Sequence, residues 1–449
     1  MKHLFSRLSP AQKIILSFLL VIFCGSLLLS LPWVQTASSQ AGYLDHLFTA
    51  VSMVCVTGLF TRSVVDTYNV WGQLLCMLLI QIGGLGILTF IGFFTMESRK
   101  KLSLKDRRIL RDSFSYGHNR TLGQFVRSIF ITTFAIEGLG ALLLMIRFIP
   151  KFGLRKGIFN SIFLAVSAFF NAGFDNFGND SLLGLQTDVL VNITLALLII
   201  TGGLGFMVWF DLATKLGGKQ KGLHFHTKVV LLLTAGLLVF GTVTSLWTEY
   251  NNPGTIGNLS FGDKLLVSFF QTVSMRTAGF ASIDYTAARP VTLFIYLLQM
   301  FLGGAPGGTA GGLKITTFLV LLLFARKEIL GLHHTNIGRR TLAPQLVQKA
   351  FGVTVIFQLT FLLGLLALGL VTDSSHRFIY LIFETVSALA TVGVTANITT
   401  SLNTAGMIVI MLLMFIGRVG PLTLMVSLNH YQPKKAATLH YSKADIMIG

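Results

Sequence analysis

Residues 70–96 contain no Asp, Glu, Lys or Arg. A soluble core rarely holds so long an apolar run, whereas ~20 such residues suffice to cross a bilayer as a helix. Residues 14–34 form a second uncharged run, and further candidate spans lie at 128–146, 189–210, 229–247, 291–325, 350–371 and 404–428. Charged residues make up 12% of the chain, about half the share of an ordinary soluble domain (~25%). The expected fold is an all-α polytopic membrane protein. The first span ends in Leu31-Pro32-Trp33 without a small-residue cleavage signal, so it reads as a retained helix.

The net charge of +18 could suggest a nucleic-acid partner, but its distribution argues for topology instead. With the N-terminus in the cytoplasm and the spans alternating, 24 Lys and Arg fall inside, 9 outside, and Lys314 and Arg418 within the membrane. That asymmetry follows the positive-inside rule. It predicts a multi-pass protein of the cell membrane with both termini cytoplasmic and no nucleic-acid role. The basic blocks at 99–111 and 215–221 read as topology signals that touch anionic lipid or a cytoplasmic partner. Trp33, Trp71 and Trp247 fall near expected outer boundaries, where interfacial aromatic belts sit. Cys24, Cys55 and Cys76 lack zinc-type spacing and read as small packing residues.

Four short apolar segments share one pattern: "LFTAVSMVCVTGLF" (47–60), "IFLAVSAFFNAGFD" (162–175), "SFFQTVSMRTAGFA" (268–281) and "IFETVSALATVGVT" (382–395). Each has Val-Ser and then Gly, with a Ser-to-Gly interval of six in three copies and five in the third. The landmarks "GGLG" (83–86), "GGLG" (202–205), "GGAPGG" (303–308) and "GRVG" (417–420) follow those glycines by 25, 29, 24 and 24 residues. Such recurrence identifies an architecture before any single motif does. It predicts four tandem helix–pore loop–helix repeats around one pseudo-fourfold pore. Their limits are 1–96, 97–213, 214–325 and 326–429, followed by a cytoplasmic tail, 430–449. Glycines elsewhere, such as Gly25, Gly138 and Gly140, need only let helices approach closely.

Irregular backbone at membrane depth is tolerated where it lines a watery cavity, and carbonyl oxygens there can replace the hydration shell of a cation. The candidate selectivity filter is therefore Val56-Thr57-Gly58, Asn171-Ala172-Gly173, Thr277-Ala278-Gly279 and Thr391-Val392-Gly393. The fourfold pattern, with "TVG" in the last copy, "NAGF" in the second and "RTAGF" in the third, resembles the Trk/Ktr/HKT superfamily of cation translocators over about residues 10–430. The short chain looks most like a bacterial Ktr-type potassium uptake subunit. Glycine at all four positions is the potassium-permeant pattern of that family, so the resemblance implies K+ as the permeant ion. It also implies a homodimer and a cytoplasmic nucleotide-binding regulatory ring. No cofactor is expected on the chain itself, and sodium dependence stays open. The short third copy carries Arg276, expected behind the filter or at its rim and paired with an acid. Asp175 and Asp284 follow the filter glycines closely and are candidates for the outer vestibule, although ordinary loop solvation serves as well.

Arg418 lies in an otherwise apolar stretch and aligns with Gly84, Gly203 and Gly304. Span 291–325 would measure roughly 52 Å as one helix against a hydrocarbon core of ~30 Å, so it must break, and "GGAPGGTAGG" (303–312) is where. The expected gate combines Gly303, Gly304, Gly307, Gly308, Thr309, Gly311, Gly312 and Lys314 with Arg418, to which the loop offers carbonyls and the Thr309 hydroxyl. In the family it resembles, the corresponding loop is an intramembrane gate. "GGTAGGLK" lacks the G-x4-G-K-[ST] of a phosphate-binding loop. Glu137 is the other mid-span charge; it suits a coupling ion or a hydrogen bond to a neighbouring helix. His224 and His226 have no matched acidic or cysteine partner in the sequence and make weak metal ligands. With no HExxH and no clustered acids, no enzyme is expected. The alternative function is a secondary transporter coupling K+ to Na+ or H+.

Overall fold

The computed structural model describes residues 10–86, 122–178, 181–218, 220–372 and 377–420. Among the described residues, four helices are long and apolar enough to cross a membrane: α1 (Pro10–Leu29), α4 (Leu122–Phe152), α8 (Phe225–Glu249) and α12 (Pro344–Val371). Apart from single turns such as Val64–Thr67, the other described helices are, in order along the chain, α2 (Tyr43–Cys55), α3 (Val70–Leu85), α5 (Leu154–Phe169), α6 (Val189–Gly203), α7 (Phe206–Leu216), α9 (Phe261–Ser274), α10 (Pro290–Phe301), α11 (Ile315–Ile329), α13 (Phe378–Leu389) and α14 (Thr404–Val419).

The spans expected at 70–96, 189–210, 291–325 and 404–428 are not single membrane-length helices. Helices α3 and α14 have 16 residues each, about 24 Å of rise, short of the ~30 Å core. Their last glycines, Gly86 and Gly420, take φ of 81° and 91° and stop the helix; residues 87–121 and 421–449 of those regions lie outside the described residues. At the equivalent Gly205, φ is 90° and the chain turns by 99° from α6 into α7. A break was expected in the third copy alone, yet every second helix ends at its glycine landmark. The first span also stops early, at Leu29, and Pro32–Val34 form a separate turn.

The first glycine of each landmark has a packing reason. A Cβ on Gly83, Gly202 or Gly417 would lie 2.0, 1.8 or 2.0 Å from the carbonyl oxygen of Val54, Phe169 or Leu389, at the C-terminal ends of α2, α5 and α13. In the third copy, a Cβ on Gly303 would instead lie 1.9 Å from the Gly311 carbonyl oxygen. These contacts press the short helices into the centre. Phe48, Phe163, Phe169, Phe270 and Phe383, all on short helices, are fully buried. The long helices instead present apolar side chains outward, including Leu142, Trp247 and Leu363, as lipid-facing surfaces do. Cys55 and Cys76 pack inside, whereas Cys24 is exposed on α1, contrary to its expected packing role. A two-residue hairpin, β1 (Asn336–Ile337) with β2 (Arg340–Thr341), joins α11 to α12.

Candidate functional site

Each short helix ends in a turn of unusual backbone. The residue two before the glycine is left-handed in all four: Val56 (φ 55°), Asn171 (58°), Thr277 (67°) and Thr391 (52°). Gly58, Gly173, Gly279 and Gly393 follow with φ of 106°, 69°, 83° and 96°. A β-branched residue with positive φ is strained and persists only when its surroundings hold it.

The serine of each Val-Ser pair supplies part of that hold. The amides of Thr57, Ala172 and Val392 donate to the carbonyls of Ser52, Ser167 and Ser387 at 2.9, 2.8 and 2.8 Å. The hydroxyls of these serines accept from the amides of Gly58, Phe174 and Gly393 at 3.2, 2.9 and 3.1 Å. In the third turn the amide of Ala278, one residue nearer in sequence, donates to the Ser274 carbonyl at 2.9 Å. There the Ser274 hydroxyl reverses role and donates to the Phe280 carbonyl at 2.6 Å. The shorter interval in the third copy is thus accommodated without losing the turn.

The four turns meet in a closed ring. A Cβ on Gly58 would sit 2.8 Å from the Ala172 carbonyl oxygen, and one on Gly173 2.8 Å from that of Ala278. On Gly279 it would sit 2.6 Å from the Val392 oxygen, and on Gly393 2.0 Å from that of Thr57. Segments more than a hundred residues apart therefore share one axis. Only glycine fits there, and the residue before each glycine brings its carbonyl to the ring. The arrangement offers a cation neutral oxygen ligands with no carboxylate in the ring.

Directly against the ring lies the loop 303–312. Its ends are pinned by the Gly303 amide to the Leu313 carbonyl (3.0 Å) and the Leu313 amide to the Phe301 carbonyl (3.1 Å). Its middle is held by the broken end of α6: Ala305 and Thr309 amides donate to Gly203 and Gly202 carbonyls at 3.0 and 3.2 Å, and the Phe206 amide donates to Gly307 at 3.1 Å. Lys314 Nζ closes the loop on itself through the Ala310 carbonyl, 2.6 Å. Gly308 packs on the carbonyls of Gly202 and Gly203, and a Cβ on Gly304 would meet Ala310 at 2.5 Å. At Gly307 and Gly312 φ is positive, 73° and 65°.

Arg418 spans from α14 to this loop and to α3. Its guanidinium donates to the carbonyls of Thr309 (2.6 Å), Gly83 (2.6 Å) and Gly84 (3.2 Å). The expected carbonyl ligand is there, but the Thr309 hydroxyl is not a ligand. It points instead to the Phe169 carbonyl and Asn171 Oδ1, at 3.3 and 3.2 Å, because the loop presents its backbone to Arg418 and its side chain to the ring.

The remaining sequence expectations fare unevenly. Arg276 is buried, yet among the described residues no carboxylate lies within ion-pair distance of it, and its Nε has no partner. Asp284, a nearby acid in sequence, is exposed and spends its carboxylate on Thr286. Asp175 is not solvated: it is 9% exposed and accepts from the Phe177 amide (3.0 Å) and the Ser181 hydroxyl (2.7 Å). Burial pushes its carboxyl up to about 6. Glu137 makes the expected bond to a neighbouring helix, accepting from Gln81 on α3 at 3.0 Å, and its other oxygen has no partner among the described residues. His224 does have an acidic partner, since Nδ1 lies 2.5 Å from Asp211 across the turn between α7 and α8. No metal-binding group of His, Cys, Asp and Glu occurs among the described residues.

Sequence reasoning missed the struts behind the ring. Glu384, fully buried, accepts from the Thr395 and Thr399 hydroxyls. At the same register, three residues before the serine, Gln271 donates to Ser282 (2.7 Å) and accepts from Tyr285 (2.6 Å). The available signal was a polar residue recurring at that register on otherwise apolar helices.

Comparison with known proteins shows the family and the overall fold. The TrkH family model, described as a cation transport protein, matches residues 7–438. The chain is 38% identical to the Ktr system potassium uptake protein B of Bacillus subtilis (strain 168), covering 99% of this chain and 97% of that protein. It is 39% identical to the potassium/sodium uptake protein NtpJ of Enterococcus hirae, covering 100% and 99%. The crystal structure of the potassium transporter TrkH from Vibrio parahaemolyticus shares the fold, with a TM-score of 0.74 at 17% identity over 93% of this chain and 84% of that one. On this full-length match and the ring-and-loop geometry, the chain belongs to the TrkH family of cation transport proteins.

Proposed function

We propose that the chain is a potassium-uptake pore of the cell membrane, organised as four pore-loop repeats with the sequence limits given above. The observation that carries this reading is the closed ring of Gly58, Gly173, Gly279 and Gly393, with carbonyls from the preceding residues at each contact. A ring of neutral oxygens selects a weakly hydrated monovalent cation without trapping it. Loop 303–312 with Lys314 and Arg418 is the barrier on the path, and Arg418 serves as a tethered cation held by backbone carbonyls. Asp175 and Asp284 shape the outer mouth, the first as a buried strut. A cytoplasmic regulatory ring and a homodimer complete the assembly. Support for a second component comes from relatives named as parts of a Ktr system.

The test is ⁸⁶Rb⁺ uptake into proteoliposomes holding the purified chain, with K+ or Na+ as competitor. Competition by K+ and little by Na+ supports the reading; equal competition refutes the potassium filter. The second reading, a carrier coupling K+ to Na+ or H+, is favoured by one observation, a buried Glu137 oxygen with no hydrogen-bond partner among the described residues. Glu137→Gln keeps the shape and removes the charge, so it abolishes coupled uptake in a carrier and leaves a pore conducting.

A further inference from the structure

The barrier loop does more than sit beneath the ring. Three of the four left-handed residues carry polar side chains, and all three meet the loop. Asn171 Oδ1 accepts from the Thr309 hydroxyl, 3.2 Å. Thr277 Oγ1 accepts from the Gly311 amide, 3.1 Å. Gly311 also lies so close to Thr391 that a Cβ there would sit 2.0 Å from its Oγ1 and 2.5 Å from the Ala390 carbonyl. Asn171 in turn reaches the neighbouring turn, its Nδ2 donating to the Arg276 carbonyl at 3.4 Å. Val56, in the first copy, is the left-handed residue that has no polar atom to offer. Strained backbone persists where surrounding contacts over-determine it, and here part of those contacts comes from a segment that must move for an ion to pass.

We propose that Thr309 is a positioning residue for ion discrimination: with Gly311 it makes the loop 303–312 the floor of the filter, so that withdrawing the loop loosens the ring as it opens the path. This rests on the reading of the ring as filter and the loop as barrier. Arg418 joins the same linkage, because its bond to the Thr309 carbonyl (2.6 Å) fixes the residue that supports Asn171. Ion discrimination is then a property of the closed-loop geometry as well as of the four glycines.

The experiment measures the ratio of Na+ to K+ inhibition constants for ⁸⁶Rb⁺ uptake in wild type, Thr309→Val, Thr309→Ser and Arg418→Ala. Thr309→Val keeps the shape and removes the donor, and the ratio should fall about fivefold, the equivalent of one net hydrogen bond of ~1 kcal/mol. Thr309→Ser should restore it, which a merely structural role for the methyl would not require. Arg418→Ala should raise uptake and lower the ratio together. Raised uptake with a wild-type ratio in both Thr309→Val and Arg418→Ala overturns the proposal while leaving the barrier intact as a reading. Unchanged uptake in folded Arg418→Ala overturns the barrier reading instead. Should Thr309→Val not fold, Gly311→Ala pushes the loop off Thr391 and tests the same ratio. For a variant that folds without conducting, the ratio is read from K+- and Na+-dependent thermal stabilisation, where a wild-type value again overturns the proposal.

Discussion

Replacing Arg418 by alanine removes two separable contributions, and their sizes follow from its surroundings. The guanidinium makes hydrogen bonds of 2.6, 2.6 and 3.2 Å to three carbonyls on α3 and the loop. Bonds from a charged donor contribute ~1.5–3 kcal/mol each, so several kcal/mol of the loop's attachment to α3 depends on this side chain. On the proposed path, the charge acts separately on the permeating ion. For a monovalent cation passing within ~5 Å at an effective dielectric constant of ~20, the repulsion is about 3 kcal/mol, roughly a hundredfold in rate. Arg418→Ala is therefore expected to raise ⁸⁶Rb⁺ uptake into proteoliposomes at least tenfold, the remainder being absorbed by whichever step next limits flux. Arg418→Lys keeps the charge and loses the planar fork that reaches both partners, so its rise should be smaller. Wild-type uptake in Arg418→Ala protein that elutes and melts as a folded species refutes the reasoning. An equal rise in both variants would assign the barrier to the loop's attachment and remove the charge from the account.

Gly393→Ala places a Cβ 2.0 Å from the Thr57 carbonyl oxygen at a φ of 96°, and should abolish selective uptake, whereas Gly138→Ala, with nothing within 4 Å, should leave the uptake assay unchanged. Ser387→Ala strips the acceptor of the Gly393 amide at 3.1 Å; a buried amide left unpaired costs ~1–3 kcal/mol, to be seen as a lower melting temperature with weaker K+ preference. Asp175 is protonated more readily in the fold, near pH 6, than its ordinary value of 3.8. Its contribution to stability is thus complete below about pH 3.8 and is lost as pH rises through about 6. Between pH 7 and 5 wild type should gain about 1 kcal/mol relative to Asp175→Asn, from paired denaturation curves; parallel pH profiles would show that Asp175 is not buried as described.

The membrane class, the fourfold recurrence and the positions of the ring turns were legible in the chain, because hydropathy and glycine spacing are local properties. So was the level of Arg418, fixed by its alignment with Gly84, Gly203 and Gly304. The serine register was visible too, although its purpose emerged only when Ser52, Ser167 and Ser387 were seen receiving the turn amides. What escaped the sequence depends on contacts between distant segments. Arg418 meets Gly83, 335 residues earlier, and the Thr309 carbonyl in place of its hydroxyl. No local pattern states which face of a loop will turn toward which helix. Likewise the turn of 99° after α6 follows from Gly202 and Gly205 packing on Phe169 and the loop, while the burial of Asp175 and of Arg276 was decided by what closes over them. Residue types and their spacing were enough to mark the four ring turns and the loop 303–312. Packing between distant segments decided that the loop binds the ring, since the Thr309–Asn171 bond joins residues 138 apart and the Gly311–Thr277 bond residues 34 apart, neither within one helix or turn.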